Sequence, residues 1–357
     1  MVTLANLLDG HPANKNSIII PGSESATYQS FSNEIERIAG LLAGSGLERG
    51  KAVSIVLGNG LDFMVTFLAG TRAGAIAAPL NSAYTVDEFQ FFMEDAQAQL
   101  VIASEDAEAA IQAADSLDIP VAIISGNRIG ELTLSRNGTS LSKNVDVAPP
   151  TAEDLALFLH TSGTTSRPKG VPLTHGNLMA SLSNIVGTYD LDGDDTAMVV
   201  MPLFHVHGLI GVALSSLRSG GTIVIPPRFS ASTFWKDQRD TNSTWYSAVP
   251  TIHQILLMRA TEDGAPNKSF RFIRSCSAAL APTVFNDLEA RFGAPVLEAY
   301  GMTEASHQMS SNPLPPGSRS PGTVGVGTVS YTHLRAHATE AEVVCRRGGE
   351  KKGGGGG

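Results

Sequence analysis

Short apolar runs that alternate with longer amphipathic stretches constrain the fold of this chain more than any other feature of its sequence. Four apolar runs, mostly rich in branched residues, occupy 52–57, 100–103, 121–124 and 155–159. Amphipathic stretches with helical periodicity occupy 31–43, 61–72, 86–96 and 106–114. This alternation is typical of βαβ units and a mostly parallel sheet. Helices cover both faces of such a sheet, which explains why its strands are apolar without interruption.

The same alternation continues in the second half of the chain. Strands are predicted at 198–201, 222–225, 245–249, 270–275 and 295–299, and helices at 176–189, 208–217, 252–259 and 283–292. We therefore predict an α/β fold with a mostly parallel sheet, in a chain long enough for one large domain or two ordinary ones. A polar linker near 136–150, which ends in two prolines, is predicted to divide two subdomains.

Composition and charge exclude several classes of protein. The 357 residues carry 25 basic and 34 acidic side chains, for a formal charge of −9, and contain no basic block, so no nucleic-acid partner is expected. Only Cys276 and Cys345 are cysteines, which argues against a disulfide framework and favours a reducing compartment. Neither a signal peptide nor a membrane span is recognisable, and the cytoplasm is the expected location.

The last thirty residues differ from the rest of the chain. From about Thr328 no strand or helix period continues, and the sequence ends in five glycines. We expect 328–357 to be an anomalous tail, disordered or artefactual, outside the folded domain.

A loop rich in hydroxyls follows the apolar run at 155–159. Thr161 to Gly170 contains five Thr or Ser residues, two glycines and one lysine. Gly163 allows the backbone to approach a phosphate closely, successive amides can form an anion-binding nest, and Lys169 supplies a mobile positive charge. The pattern is not a Walker A loop, because the lysine precedes its glycine. The predicted phosphate contacts are Thr161, Ser162, Gly163, Thr164, Thr165 and Lys169.

Three further segments contain side chains suited to binding a nucleotide and an acid. In 202–208, His205 and His207 would share one face if the segment is extended. In 275–282, the small residues Ser277, Ala278 and Ala279 could let an aromatic base lie flat against the backbone. The segment 298–304 offers an aromatic ring, a hydroxyl and a hard carboxylate ligand for magnesium, at Tyr300, Thr303 and Glu304.

These four segments together resemble, in order and pattern, the motifs of the adenylate-forming superfamily, which includes acyl-CoA synthetases, luciferases and the adenylation domains of peptide synthetases. The resemblance covers about residues 1–327. It implies that residues 1–327 form the large N-terminal domain of that fold, built from α/β subdomains with mixed or parallel sheets, with ATP, Mg²⁺ and coenzyme A as reactants or cofactors. It also implies the following roles: the loop residues hold phosphates, Ser277, Ala278, Ala279, Tyr300 and Gly301 hold adenine, Thr303 holds the α-phosphate, Glu304 holds magnesium, and His205 positions the acid. The catalytic set is therefore His205, Thr303 and Glu304.

The identity of the acid depends on fewer residues. The paired histidines and the segments at 272–278 and 312–317 look like the oxalate–CoA ligase branch. Arg274 and Ser275, with His205 and His207, are the predicted substrate contacts, since a guanidinium pairs well with a carboxylate. A medium-chain fatty acid or another small acid is the alternative. The peroxisome is an alternative location for a longer relative.

Several parts that the resemblance implies are not recognisable after Glu304. The superfamily continues into an aspartate that binds ribose, a hinge and a small C-terminal domain that carries a lysine. We therefore expect this chain to be C-terminally truncated, to lack that small domain and to form no thioester as printed. A non-catalytic nucleotide-binding fragment is the competing hypothesis.

Overall fold

The structure, a computed structural model, describes residues 2–161, 168–260 and 270–328. The strands are β1 (Asn16–Ile19), β2 (Ser25–Thr27), β3 (Ala52–Val56), β4 (Ile76–Pro79), β5 (Ala98–Ala103), β6 (Val121–Ser125), β7 (Thr133–Arg136), β8 (Thr139–Ser140), β9 (Leu155–Thr161), β10 (Lys169–Thr174), β11 (Thr196–Met198), β12 (Thr222–Val224), β13 (Trp245–Ala248), β14 (Phe272–Ser275), β15 (Val296–Met302), β16 (His307–Ser311) and β17 (Val326–Gly327).

The helices lie mostly between these strands. They are α1 (Tyr28–Gly44), α2 (Leu61–Arg72), α3 (Val86–Asp95), α4 (Glu108–Ser116), α5 (His175–Thr188), α6 (Val206–Gly208), α7 (Ser215–Arg218), α8 (Phe234–Thr241), α9 (Pro250–Arg259) and α10 (Pro282–Phe292). Leu4–Asn6 and Thr303–Ala305 form 3-10 turns, and a π-helix at Leu209–Leu214 joins α6 to α7. No helix in the described ranges is long and apolar enough to cross a membrane.

One sheet has nine strands in the order β17-β16-β15-β14-β13-β11-β12-β1-β2. Neighbouring strands from β15 to β1 pair in parallel, and antiparallel strands close both ends. Its interior strands β13 and β14 are buried at every residue, as expected where helices cover both faces. Arg274 is the only charged residue in these two strands.

The other sheet has eight strands in the order β10-β9-β4-β3-β5-β6-β7-β8. The strands from β9 to β6 pair in parallel, while β10, β7 and β8 are antiparallel. The predicted α/β fold with mixed sheets is therefore confirmed. The linker near 136–150 contains β8 and leads to β9 of this one sheet. The chain enters this sheet after β2, through α1, and returns to the nine-stranded sheet after β10, through α5.

One continuous hydrophobic core joins the two sheets. Ile55 and Phe67 on one side belong to the same buried cluster as Val199 and Ile223 on the other. Each such side chain contributes about 1.5–3 kcal/mol on burial, so this shared cluster holds the sheets together. Periodicity in the sequence missed α8, which is short and largely polar, and it missed the antiparallel strands at the sheet ends.

A buried carboxylate ties together the starts of three adjacent strands of the nine-stranded sheet. Asp195, just before β11, accepts two hydrogen bonds from Arg271, at 2.9 and 2.7 Å, just before β14. Its Oδ1 also accepts from the hydroxyl of Thr244, at 2.9 Å, just before β13. The side chain of Asp195 is only 4% exposed, so these bonds are largely protected from water.

We expect the substitution Asp195→Asn to lower the free energy of unfolding by about 2 kcal/mol, because one charged bidentate contact is lost inside the protein. Urea denaturation measures the change. Asp240→Asn is the matched control, since its pair with Lys236 at 2.6 Å is exposed on both sides and should contribute little. Equal effects of the two substitutions would contradict the structural role of Asp195.

The start of α5 contains a buried histidine with a pH-dependent contact. Nδ1 of His175 accepts a hydrogen bond from the backbone N–H of Leu4 at 3.2 Å. Burial lowers the pKa of His175 from 6.5 to about 4; nearby Asp154 opposes the shift, and Arg49 adds to it. The unfolded chain therefore binds more protons at this residue than the folded chain between those two pH values.

Stability should consequently fall as the pH drops from 6.5 towards 4, by up to about 1.4 kcal/mol per pH unit for His175. The variant His175→Asn keeps an acceptor for Leu4 but cannot titrate. We expect the difference in unfolding free energy between wild type and variant to change with pH by this amount, because the contributions of the other titrating groups are the same in both proteins and cancel. Parallel pH profiles for the two proteins would show that His175 does not titrate in this way.

Candidate active site

The carboxyl ends of four neighbouring strands meet at one edge of the nine-stranded sheet. Strands β11, β13, β14 and β15 are adjacent and parallel, so the segments that follow them lie side by side. His205 follows β11, Ser277 follows β14, and Thr303 follows β15. Ligands of open α/β sheets bind at this edge. The fold thus brings together three of the four segments selected from the sequence.

The fourth segment is the hydroxyl-rich loop, which connects β9 to β10 in the eight-stranded sheet. Thr161 and Lys169 face each other across this antiparallel pair, at the end of the hairpin that carries the loop. The hydroxyl of Thr161 donates to Oε1 of Glu304 at 3.4 Å, which joins the loop to the edge of the other sheet. The predicted phosphate contacts Ser162, Gly163, Thr164 and Thr165 lie outside the described residues.

The predicted adenine and magnesium segment spans the end of β15 and the 3-10 turn after it. Tyr300, Gly301 and Thr303 are partly exposed, and Glu304 is exposed. The pairing of β15 with β16 shifts register between Tyr300 and Gly301. A Cβ at Gly301 would collide with the backbone carbonyl of His307, so glycine is required for this close approach of two strands.

Ser277, Ala278 and Ala279 are exposed immediately after β14. Ser277 has φ +72°, in the left-handed region that non-glycine residues rarely adopt. Its hydroxyl lies 3.0 Å from Nδ1 of His207. The two alanines have small side chains and are exposed, and their contact with a flat base stays a prediction.

The two histidines of the segment 202–208 do not share one face. His205 has extended backbone angles and is exposed, with its ring 4.5 Å from that of Phe204. His207 lies in α6 and is buried, with Nε2 2.7 Å from the hydroxyl of Ser247. The expectation based on an extended segment is wrong, because a helix starts at Val206 and turns the second ring inward.

Arg274 is fully buried behind this edge, at 0% exposure. Its Nε donates to the hydroxyl of Tyr189 at 2.8 Å, and Nη1 donates to Ser247 at 3.0 Å. Its Nη2 contacts Nε2 of His307 at 2.9 Å and the side-chain carbonyl of Gln308 at 3.2 Å. Among the residues that the structure describes, no carboxylate lies within ion-pair distance of this guanidinium. Its neighbour Ser275 is also buried, and within the same ranges its hydroxyl has no hydrogen-bond partner.

The structure adds site residues that sequence reasoning missed, chiefly His307, Ser247 and Tyr189. His307 has φ +94°, and its ring stacks on that of His207 with centroids 5.5 Å apart. Gly211 in the π-helix makes room for it, because a Cβ there would collide with the His307 ring. His307 lies three positions after Glu304, but sequence spacing does not reveal a positive φ. This combination of strain and a π-helix is frequent at functional sites.

Arg274, His207 and His307 form a buried cluster that contains one permanent positive charge. Burial lowers the pKa of His207 well below 6.5, and the charges of Arg274, His253 and His205 lower it further. Burial likewise lowers the pKa of His307 well below 6.5, with Arg274 and His207 as further causes. Both imidazoles are therefore neutral near pH 7, and Arg274 alone sets the positive potential here.

Comparison with known proteins identifies related sequences. Residues 7–355 match the family model described as AMP-binding enzyme. A probable CoA ligase of Humulus lupulus is 47% identical over 335 residues, which are 91% of this chain and 64% of that protein. An oxalate–CoA ligase of Arabidopsis thaliana is 44% identical, over 90% of this chain and 65% of that protein. The chain thus spans just under two thirds of the length of these relatives.

Solved structures have the same fold. ATP-bound MatB from Rhodopseudomonas palustris superposes with a TM-score of 0.77 at 28% identity, covering 91% of this chain and 64% of that one. The N-terminal domain of FACL13 from Mycobacterium tuberculosis superposes with a TM-score of 0.80 at 22% identity, covering 92% and 83%. The described architecture is therefore that of the large N-terminal domain of these proteins.

We expect the substitution Gly301→Ala to destabilise the protein by about 1–3 kcal/mol, because the added methyl group must push β16 away from β15. Gly187→Ala is the matched control. A Cβ at Gly187, inside α5, meets no atom within 4 Å, so alanine should be neutral or slightly stabilising there. Thermal unfolding of both variants checks this, and an unchanged melting temperature for Gly301→Ala would contradict it.

Proposed function

Because the chain belongs to the AMP-binding enzyme family, we propose that it serves the ATP-dependent activation of a small carboxylic acid to an acyl-adenylate and then a CoA thioester, with oxalate as the favoured acid. Two proteins named oxalate–CoA ligase, from Arabidopsis thaliana and Saccharomyces cerevisiae, are 44% and 39% identical to it and support this choice.

The buried guanidinium of Arg274 is the single observation that carries the choice of acid. Transfer of a charge out of water is costly unless another charge compensates it. Since no described carboxylate does so, the site presents an uncompensated positive charge close behind the sheet edge. This positive potential would attract both carboxylates of a small dicarboxylate. Contact between a fatty tail and the polar side chains around Arg274 would be unfavourable.

The acid would bind at the rim formed by His205 and Ser277. Both side chains are exposed, and Ser277 contacts His207, through which the influence of Arg274 reaches the rim. Ser275 and Arg274 stand behind this rim, since neither is exposed. We therefore assign the direct contacts to His205 and Ser277, and the electrostatic contribution to Arg274.

The nucleotide would bind beside the acid. Tyr300 offers its ring to adenine, and the exposed backbone at Ala278 and Ala279 offers a flat surface opposite. Thr303 would donate to the α-phosphate. Lys169, at the base of the hydroxyl-rich loop, would neutralise the β- and γ-phosphates together with the loop amides.

The oxygens of Glu304 and Thr161 fit a magnesium ion. Mg²⁺ usually binds through one or two carboxylates together with water and substrate phosphates. Glu304 is exposed and its Oε1 lies 3.4 Å from the Thr161 hydroxyl, so hard oxygens from both sheets meet where the phosphates would lie. Within the described ranges no group of three or more His, Cys, Asp or Glu could hold a metal ion by itself, which agrees with an ion that arrives with ATP. Bound there, the ion would neutralise phosphate charge.

The chemistry joins two anions, so neutralisation and alignment dominate the role of the protein. A carboxylate oxygen of the acid attacks the α-phosphorus of ATP, the bond to the bridging β-phosphate oxygen breaks, and pyrophosphate leaves. The thiolate of coenzyme A then attacks the acyl carbon, and AMP leaves. His205 and Ser277 orient the acid, and Thr303 and Lys169 stabilise the phosphate oxygens.

Calorimetric titration of the chain tests this proposal. In the presence of Mg²⁺ and a non-hydrolysable ATP analogue, oxalate should bind, and hexanoate should not. Ser277→Ala should weaken oxalate binding by roughly tenfold, the loss of one hydrogen bond to a charged group. Binding of hexanoate in preference to oxalate would refute the choice of acid, and failure to bind the nucleotide would refute the whole proposal.

A further inference from the structure

A chain of four polar side chains runs from the buried guanidinium to the rim of the site. Nη1 of Arg274 lies 3.0 Å from the hydroxyl of Ser247, which lies 2.7 Å from Nε2 of His207. Nδ1 of His207 lies 3.0 Å from the hydroxyl of Ser277. The strands β14 and β13 and the helix α6 supply the first three groups, and the exposed turn after β14 supplies the last.

The chemistry of the first member fixes the direction of every hydrogen bond in this chain. A guanidinium only donates, so the oxygen of Ser247 accepts from Arg274. Within the described ranges, Ser247 Oγ contacts no polar group besides Arg274 and His207, and its one proton therefore goes to Nε2 of His207. A neutral imidazole whose Nε2 accepts carries its proton on Nδ1. Nδ1 thus donates to Ser277.

The last hydroxyl then has one defined function. Because the oxygen of Ser277 accepts from His207, its own proton is free to point away from the cluster. No other described residue hydrogen-bonds with Ser277, and the residue is exposed. Its φ of +72° is a backbone conformation that costs free energy. This conformation places the side chain at the end of the chain of hydrogen bonds.

We propose that Arg274, Ser247 and His207 form a one-way hydrogen-bond relay. The relay holds the hydroxyl of Ser277 as a donor that points outward, towards an anionic oxygen of the substrate. Ser247 is therefore a positioning residue for that oxygen. The inference rests on the proposed function for the nature of that substrate. In the opposite tautomer, Nε2 of His207 would donate to Ser247, and Ser277 would have to donate inward to Nδ1. The rim would then present only oxygen lone pairs, which repel a carboxylate.

The charged and titratable groups that face His207 are consistent with a neutral ring and with this direction of the hydrogen bonds. Arg274 comes from β14, His253 from α9, His307 from β16, and His205 from the preceding loop. None is an acid, so no neighbour favours a proton on both nitrogens of His207. The relay should therefore persist unchanged across the range near neutral pH.

The tautomer of His207 in the free protein tests the relay directly. Long-range proton–nitrogen correlation spectra of the full chain labelled with ¹⁵N-histidine distinguish the two forms, and His207→Asn assigns the signal. We expect the Nδ1–H tautomer of wild type to stay constant between pH 6 and 8. The Nε2–H tautomer or a protonated ring would overturn the proposal.

The variant Ser247→Ala tests the consequence for binding. It should lose the single fixed tautomer and bind oxalate roughly tenfold more weakly in the presence of Mg²⁺ and the ATP analogue, whose own affinity should not change. Ser247→Thr, which keeps the hydroxyl, should retain both properties if it melts like wild type. Ser54→Ala is the control, because Ser54 is a fully buried serine of the other sheet whose hydroxyl has no partner in the described ranges.

The two proposals fail in different ways. A wild-type chain with the Nδ1–H tautomer that binds no oxalate would leave the relay standing and refute the choice of acid. A wild-type chain that binds oxalate, together with Ser247→Ala binding equally well, would refute the relay and leave the function standing.

Discussion

The burial of the Arg274 guanidinium is the constraint to which the surrounding elements are fitted. A charged group in the interior of a sheet is destabilising unless nearly all its donors find acceptors. Here the acceptors come from widely separated parts of the chain: Tyr189 follows α5, Ser247 lies in β13, and His307 and Gln308 lie in β16. These acceptors are neutral, so the charge is solvated by the protein but not cancelled. The potential that results is available to an anion at the sheet edge.

The same network explains local features that would otherwise be costly. His307 adopts φ +94° and packs against Gly211 in the π-helix, where a side chain would collide with its ring. Gly301 permits the backbone of His307 to approach β15. Each feature is unfavourable by itself, yet together they place an imidazole nitrogen 2.9 Å from Nη2 of Arg274. Strain of this kind is maintained only where the surrounding packing determines it.

The two sheets depend on each other for the site. The loop residues Thr161 and Lys169 belong to the eight-stranded sheet, whereas Tyr300 belongs to the nine-stranded sheet and Glu304 to the 3-10 turn that follows β15. The bond between Thr161 and Glu304 crosses this division. Both sheets share one buried core, and α5, which connects them, carries Ser181, whose hydroxyl bonds to the carbonyl of Ser306 at 2.5 Å. Movement of one sheet relative to the other would therefore alter the proposed phosphate and metal contacts together.

The sequence by itself determined the α/β class and most strand and helix positions, and it selected the segments of the candidate site. Periodicity and glycine placement are local properties, and local properties persist in the fold: the run predicted at 245–249 is β13, Trp245–Ala248. Only the tertiary structure decided which of these side chains are exposed at the sheet edge. His205 is exposed while His207 is buried, because a helix begins between them. Arg274 is buried and contacts Ser247, which in turn contacts His207, and these contacts join residues 27 or more positions apart in the chain. Such contacts depend on how strands pair and helices pack, which no short window of sequence specifies.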